Sequence, residues 1–159
     1  MDYYSVFSRK ADAAVCIKGS RKYPSITGKV RFYQMCGGVM MTAEVGGLPI
    51  GEKPCGGRIF GFHIHDGTEC SGNKDAPFAN AKGHYNPHNC EHPYHAGDMP
   101  PLFGVNGKAF LAFMTDRFNV TDIIGKAVII HGMPDDFHTQ PSGNAGEMIA
   151  CGIVESSCR

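Results

Sequence analysis

The sequence predicts an all-β protein, either an antiparallel sandwich or a barrel, on three observations. The 159 residues include 21 Gly and 10 Pro, which favour turns over long regular elements. No long run repeats apolar residues with the 3.6-residue period of a helix. Short segments instead alternate apolar and polar residues with period two, as half-buried strands do.

Six segments carry this strand pattern, in chain order residues 15–17, 30–33, 39–45, 109–114, 127–131 and 151–154. Turn-rich stretches at residues 46–47, 54–57, 104–107 and 141–146 separate them. Several strands without intervening helices favour antiparallel pairing. With no internal repeat or change of composition, we expect residues 1–159 to form a single domain with its own core.

Two connections are too long for simple hairpins, residues 66–104 and residues 131–148. Long loops in a compact domain are usually functional. All eight histidines lie at or after His63, in or beside these loops, and the first 62 residues contain none. This asymmetry makes the two loops the predicted functional region.

Composition excludes several classes of partner. The 15 basic residues balance the 15 acidic ones, which argues against nucleic acid or an acidic surface as partner. No segment approaches the roughly 20 apolar residues of a membrane span. The N-terminus lacks the pattern of a secretory signal, so we expect a cytoplasmic protein, or a periplasmic or extracellular one whose signal was removed. Seven cysteines are many for a cytosolic chain, so the compartment signals conflict.

The segment RIFGFHIH, residues 58–65, predicts a strand with two different faces. Phe60, Phe62 and Ile64 would form a core face, while His63 and His65 would face the other way, outside the core. Two imidazoles on one strand face can share copper, zinc, iron or nickel, and an all-nitrogen planar set favours Cu(II). The alternative is a pair of exposed surface histidines.

The segment GHYNPHNCEHPYHAGD, residues 83–98, concentrates further candidate ligands, namely His84, His88, His92, His95 and Asp98. Histidine and aspartate ligands without thiolates fit zinc. His131 ends the apolar strand AVII and adds another imidazole. A solvated polar loop or an adventitious nickel-affine cluster would explain this segment alone, but the three features together predict a metal site.

The motifs GFHIH, GHYNP, HAGD, VIIHGMPDD and GNAGEMIACG follow one another in the order typical of the copper/zinc superoxide dismutases, which this chain resembles from about residue 14 to 154. GFHIHDGTEC and AGDMPPL resemble the bacterial branch. The resemblance implies an eight-stranded antiparallel Greek-key β-barrel, similar to an immunoglobulin sandwich, with long metal-binding loops. It also implies dismutation of superoxide to oxygen and hydrogen peroxide at copper beside a structural zinc.

The same resemblance implies the roles of individual residues. The implied copper ligands are His63, His65, His84 and His131, and the implied zinc ligands are His84, His92, His95 and Asp98. His84 would bridge both metals, leave copper on reduction and carry a proton to the product. Asp135 would accept hydrogen bonds from one histidine of each metal and so fix ring orientation. Cys70 and Cys151 would form a disulfide.

The chain departs from the family where an anion should dock. The family has an arginine three residues before the second disulfide cysteine, and Met148 stands there beside the acidic Glu147. Residues 131–151 contain no Lys or Arg. Because electrostatic steering raises on-rates by roughly 10 to 10³, we expect a slower dismutase with weak or inverted salt dependence. The candidate substitutes for the arginine are His138, Lys82 and Lys108.

The sequence alone leaves several assignments open. Only two residues separate His92 from His95, and either His88 or Cys90 could replace His92 as a zinc ligand, although its spacing from His84 favours His92. Without the arginine, the alternative function is a non-catalytic copper- and zinc-binding storage or delivery protein. Either a monomer or a homodimer is compatible with the sequence. The cysteines of undecided pairing are Cys16, Cys36, Cys55, Cys90 and Cys158.

Overall fold

The computed structural model describes residues 6, 8–52 and 58–157, so Cys55 and Cys158 lie outside the described residues. Within these ranges the ten strands are β1 Ala13–Gly19, β2 Thr27–Met35, β3 Gly38–Gly46, β4 Arg58–Phe60, β5 Phe62–His65, β6 Leu102–Gly104, β7 Lys108–Thr115, β8 Ala127–His131, β9 Met148–Ile153 and β10 Glu155–Ser156. A 3₁₀ helix at Ala79–Ala81 and a one-turn helix α1 at Val120–Ile123 are short. The predicted scarcity of helices is thus confirmed for the described residues.

The strands form one curled antiparallel sheet in the order β5-β8-β9-β1-β2-β3-β7, with β10 paired to β1. A small second sheet pairs β4 with β6, and β6 lies beside β7. Because β4 runs on into β5, the two ends of the curled sheet come together, as in a barrel. Neighbours that are distant in sequence, such as β3 with β7, give the Greek-key arrangement. The all-β fold class is confirmed.

Period-two alternation places the core inside this barrel. Val15 of β1 pairs with Val30 of β2, which pairs with Ala43 of β3, and all three are buried. The core cluster also contains Phe60, Phe62 and Ile64, as the sequence predicts. Each fully buried large side chain contributes roughly 1.5–3 kcal/mol to the free energy of unfolding.

The prediction of a single strand over residues 58–65 is wrong, because the strand is interrupted at Gly61. Residues before the break pair with β6, and residues after it pair with β8. The Gly61 N–H donates to the carbonyl of Met133 at 2.7 Å, and a Cβ on Gly61 would lie 2.8 Å from that of Ala145. Glycine therefore allows the close approach of the later loop that bends this strand from one sheet into the other.

The two long loops cover one face of the β5-β8-β9 region. His63 and His65 lie outside the hydrophobic cluster, as predicted, but they are only 0% and 1% exposed and are not surface residues. The first loop contains the 3₁₀ helix and ends where β6 begins at Leu102. A disulfide joins Cys70 of this loop to Cys151 of β9 across a sequence separation of 81. Within the described residues, no helix is long and apolar enough to cross a membrane.

Candidate metal centre

Three histidines project from the paired strands β5 and β8. His63 pairs with Ile129 and His65 with Ala127, so side chains at alternate positions of both strands share one face. His131, two residues after Ile129, lies on that same face. A register shift between Ile130 and His131 pairs His131 with Met148 of β9. Such irregularities re-aim a side chain at the end of a ladder.

His84 completes this first group from the long loop. An isolated bridge pairs it with His65, and it is 8% exposed. Ligand nitrogens of His63, His65, His84 and His131 all lie within 4.8 Å of one another. Four buried imidazoles at this spacing can surround one metal ion.

A second group shares His84 with the first. Ligand atoms of His84, His92, His95 and Asp98 also lie within 4.8 Å of one another. His88 and Cys90 are exposed and belong to neither group. The Asn86 side chain holds the exposed turn by accepting from the Cys90 N–H and donating to its carbonyl. The structure therefore brings His92, and neither alternative, to the cluster.

Hydrogen bonds on the outer side of each ring determine which nitrogen faces inward. His63 Nε2 lies 2.6 Å from Asp135 Oδ2, His65 Nδ1 lies 2.7 Å from the carbonyl of Lys82, and His131 Nδ1 lies 3.2 Å from that of Gly146. Since each partner is an oxygen acceptor, these ring nitrogens carry the hydrogen. The lone pairs on His63 Nδ1, His65 Nε2 and His131 Nε2 are then free for a metal ion.

Asp135 links the two groups. Its Oδ2 accepts from His63, while its Oδ1 lies 2.9 Å from His92 Nε2 and accepts from the Phe137 N–H. Burial alone would raise the pKa of Asp135, but these hydrogen bonds lower it far below its usual range. A carboxylate that stays ionised is the acceptor needed to hold both rings.

Three buried side-chain nitrogens among the described residues lack a hydrogen-bond partner, namely His63 Nδ1, His84 Nε2 and His92 Nδ1. His92 Nδ1 lies 3.1 Å from Asp98 Oδ2, but without the geometry of a hydrogen bond. Buried polar atoms are normally paired. Each of these nitrogens belongs to a four-residue group, so the donor set fits two metal ions that share His84.

Burial also sets the charge of the rings. It is the main cause that lowers the pKa of His63 and His65, and it lowers that of His131 to about 3. Burial alone would raise the pKa of Asp98, but the hydrogen bond with His84 and the electrostatic contributions of His84, His95 and His92 together lower it. Near pH 7, His63, His65 and His131 are therefore neutral imidazoles and Asp98 is an ionised carboxylate, the forms that bind metals.

The rim of the first group differs from the sequence expectation in one respect. Met148 lies directly across from His131, half-buried, and Glu147 precedes it. The Glu147 carboxylate accepts from Lys22 at 2.8 Å and from the Tyr23 hydroxyl, and these bonds lower its pKa. Its charge is thus paired. Lys22 lies 125 residues away in sequence, so no local pattern could have indicated this contact.

The predicted substitutes for the arginine make other contacts. His138 is exposed and binds its own loop through Asp136. Lys82 contributes its backbone carbonyl to His65, and Lys108 begins β7 and pairs with Gly46. No described contact brings any of the three side chains to the histidines.

Sequence reasoning missed three residues that support the centre. Gln140 exchanges two hydrogen bonds with the backbone of His92, at 3.0 and 2.8 Å. Gly143 has a φ of +67°, and a Cβ there would lie 2.0 Å from Asp135 Oδ1 and 2.7 Å from His92 Nε2. Arg117 donates to three carbonyls of the loop that carries His92, His95 and Asp98. All three contacts join segments distant in sequence.

The fold and the site define a class, a β-barrel metalloprotein in which one histidine is shared by two four-residue metal groups. Comparison with known proteins agrees. The family model for copper/zinc superoxide dismutase (SODC) matches residues 26–154. The chain belongs to the copper/zinc superoxide dismutase family. Copper and zinc are accordingly its cofactors, and its two groups suit them.

Three bacterial proteins illustrate the similarity. A Cu-Zn superoxide dismutase of Deinococcus radiodurans is 33% identical over 149 residues, covering 82% of this chain and 78% of the relative. That of Legionella pneumophila is 36% identical over 140 residues, covering 83% and 80%. The solved Cu/Zn superoxide dismutase of Brucella abortus superposes with a TM-score of 0.74 at 26% identity, covering 90% of this chain and 99% of that one.

Proposed function

We propose that the protein is a superoxide dismutase, which converts two superoxide anions and two protons into oxygen and hydrogen peroxide. The observation that carries the proposal is the set of inward-facing nitrogens, two of which are buried without any partner, at His63, His65, His84 and His131. The family matches support the same activity.

The chemistry of the donor sets assigns the two metals. The first group offers only nitrogen, which suits copper, and copper supplies one-electron chemistry by alternating between its +2 and +1 states. The second group, His84, His92, His95 and Asp98, adds a carboxylate oxygen and suits tetrahedral zinc. Strands position the copper residues His63, His65 and His131, while a loop carries the zinc residues.

His84 is the residue at which the chain can hold a proton. Its Nδ1 lies 2.6 Å from Asp98 Oδ1 and 3.5 Å from His95 Nδ1, on the side of the second group. Its Nε2 has no partner and is left for the first group. We assign to His84 Nε2 one of the two protons that the reduced superoxide takes up, with the other from solvent, while Asp98 keeps the ring oriented.

Approach of superoxide to this centre lacks a docking cation at Met148. A thioether donates no hydrogen bond to an anion, and residues 131–151 contain no Lys or Arg. The ion pair between Lys22 and Glu147 removes a repulsive charge without adding an attractive one. A modest rate with weak salt dependence is therefore the expected behaviour.

The second candidate is a copper and zinc storage or delivery protein, which Met148 favours. Metal analysis followed by stopped-flow superoxide consumption separates the two. We expect about one copper and one zinc per chain with turnover above the aqueous background. His65→Gln should lose copper and turnover, while the control His88→Gln, at an exposed histidine outside both groups, should keep both. Full copper occupancy in the wild-type protein without turnover would establish the storage function.

The cysteines bear on the compartment in which the protein works. The cytoplasmic location predicted from the N-terminus is opposed by the Cys70–Cys151 disulfide, since such bonds persist mainly in oxidising compartments. Free thiols at Cys16, Cys36 and Cys90 point the other way. Fractionation of the native host decides between them.

We propose that residues 1–159 form one domain. Either a monomer or a homodimer is compatible with the sequence. Exposed Phe103, Val105 and Phe110, which line one surface cleft, favour the homodimer. Light scattering of the wild-type protein and of Phe110→Glu tests this, because a homodimer through this surface should dissociate in the variant.

A further inference from the structure

Arg117, in the segment after β7, binds the loop that carries His92, His95 and Asp98. Its Nη1 donates to the carbonyls of Pro93 at 3.0 Å, His95 at 3.2 Å and Asp98 at 3.3 Å. The Arg117 N–H itself donates to the Thr115 hydroxyl at the end of β7, which anchors the residue to the barrel. One side chain on the barrel therefore binds three peptide groups of one short loop.

The three carbonyls belong to residues that are members of the second group or lie next to one. Pro93 directly follows His92, and His95 and Asp98 are themselves members of the second group. The loop has no regular secondary structure over these residues. A loop of this kind needs outside contacts to hold its ligands in place, and a guanidinium can bind several carbonyls at once because its donors form a rigid fork.

We propose that Arg117 is a positioning residue for the zinc half of the centre. It holds the backbone beside His92, His95 and Asp98 in the arrangement that one zinc ion requires. This inference rests on the proposed assignment of zinc to that group. The copper histidines of β5 and β8 are held by the sheet instead, so Arg117 acts on one metal and not on the other.

The direction in which zinc binding changes distinguishes a positioning role of Arg117 from a purely electrostatic one. A guanidinium this close to a cation site repels the metal, so loss of the charge alone would strengthen zinc binding. Loss of the three hydrogen bonds frees the loop and therefore weakens zinc binding. We infer that the second effect dominates, because all three bonds go to backbone at or next to a ligand.

The test measures zinc release from the fully loaded protein into excess chelator. Arg117→Met removes the charge and every donor but keeps a long apolar chain. Arg117→Lys keeps the charge and serves as a second variant with fewer, less rigid donors. Arg31→Met is the matched control, since Arg31 is an arginine bound to Glu44 between β2 and β3, away from the loop.

We expect zinc release about 10-fold faster in Arg117→Met, at the low end of the roughly 10–100-fold effects of residues that support metal ligands. Arg117→Lys should lie between this variant and wild type, and Arg31→Met should match wild type. With cobalt in the zinc site, the visible spectrum of Arg117→Met should change, while copper content stays the same. A purely structural role would not change the cobalt spectrum selectively.

Unchanged or slower zinc release in Arg117→Met would overturn the positioning role, as would equal loss of copper and zinc. If the wild-type protein itself bound no zinc, the proposed zinc group would be wrong as well. The two failures are thus distinguishable, and neither measurement depends on dismutase activity.

Discussion

At the scale of one residue, we propose that Met148 governs the approach of superoxide to the centre. It lies across from His131 on the face that carries His63 and His65. The balance of charge at this rim is simple, because Lys22 pairs with Glu147 and leaves no net attraction. An added cation at Met148 would therefore act without competition from a free carboxylate.

We expect Met148→Arg to raise kcat/KM for superoxide by about 10-fold at low salt, the lower end of typical steering effects. The rate should then fall as salt is added, because ions screen the attraction. Met148→Leu, which keeps an apolar side chain, should behave like wild type. A rate unchanged by Met148→Arg would show that docking at this position does not limit the reaction.

Gly143 is a second residue at which one side chain would disturb the centre. Its φ of +67° and the position of its missing Cβ, 2.0 Å from Asp135 Oδ1, make Gly143→Ala a local disruption of the link between the two metal groups. We expect this variant to lose metal and about 1–2 kcal/mol or more of stability, the cost of the left-handed conformation alone.

Gly37→Ala is the control for that experiment. Gly37 also has a positive φ, +88°, but a Cβ there would meet nothing within 4 Å. Its variant should lose stability without losing metal. Equal metal content in Gly143→Ala and Gly37→Ala would refute a steric role for Gly143.

At the scale of elements, the disulfide joins the long loop between β5 and β6 to the barrel. Cys151 lies on β9 beside Ile129, and Cys70 lies in the loop. Closing a loop with a sequence separation of 81 limits the unfolded chain strongly. The bond therefore holds the loop near the strands that carry His63 and His131.

We expect the double variant Cys70→Ser/Cys151→Ser to lose about 2–5 kcal/mol in the free energy of unfolding. Urea denaturation of the metal-free form measures this directly. Cys16→Ser, at an exposed free thiol on β1, is the control and should leave stability nearly unchanged. A double variant as stable as wild type would mean that the loop is held without the bond.

At the scale of the whole molecule, the buried histidines make stability depend on pH. The pKa of His131 is lowered to about 3 in the folded protein, against about 6.5 in an unfolded chain. Between these values the unfolded state binds more protons, so stability falls as pH falls. The pKa values of His63 and His65 are shifted in the same direction.

We expect the metal-free protein to lose about 2 kcal/mol through His131 alone between pH 7 and pH 5. Ionised Asp98 and Asp135 add nothing in this window, because carboxylates in the unfolded chain titrate only near pH 4. Urea denaturation at both pH values measures the effect, and His131→Asn should show a smaller difference. Constant or rising stability on acidification would contradict the buried, neutral state of the ring.

Much of this molecule follows from the order of its amino acids. Period-two alternation predicted β1, β2, β3, β7, β8, β9 and the all-β class, because side chains of a strand face opposite sides whatever its partners are. The histidine spacing predicted a metal site, and the ordered motifs indicated the family. These features are local, so they can be read before the chain folds.

Tertiary structure decided what depends on distant segments. The break at Gly61 exists because a later loop passes against it, and only the folded chain shows that His92 reaches the cluster while His88 and Cys90 do not. Lys22 contacts Glu147, and Arg117 contacts the loop that carries His92, His95 and Asp98, across long stretches of sequence. Such contacts depend on strand register and loop path, which no local pattern encodes.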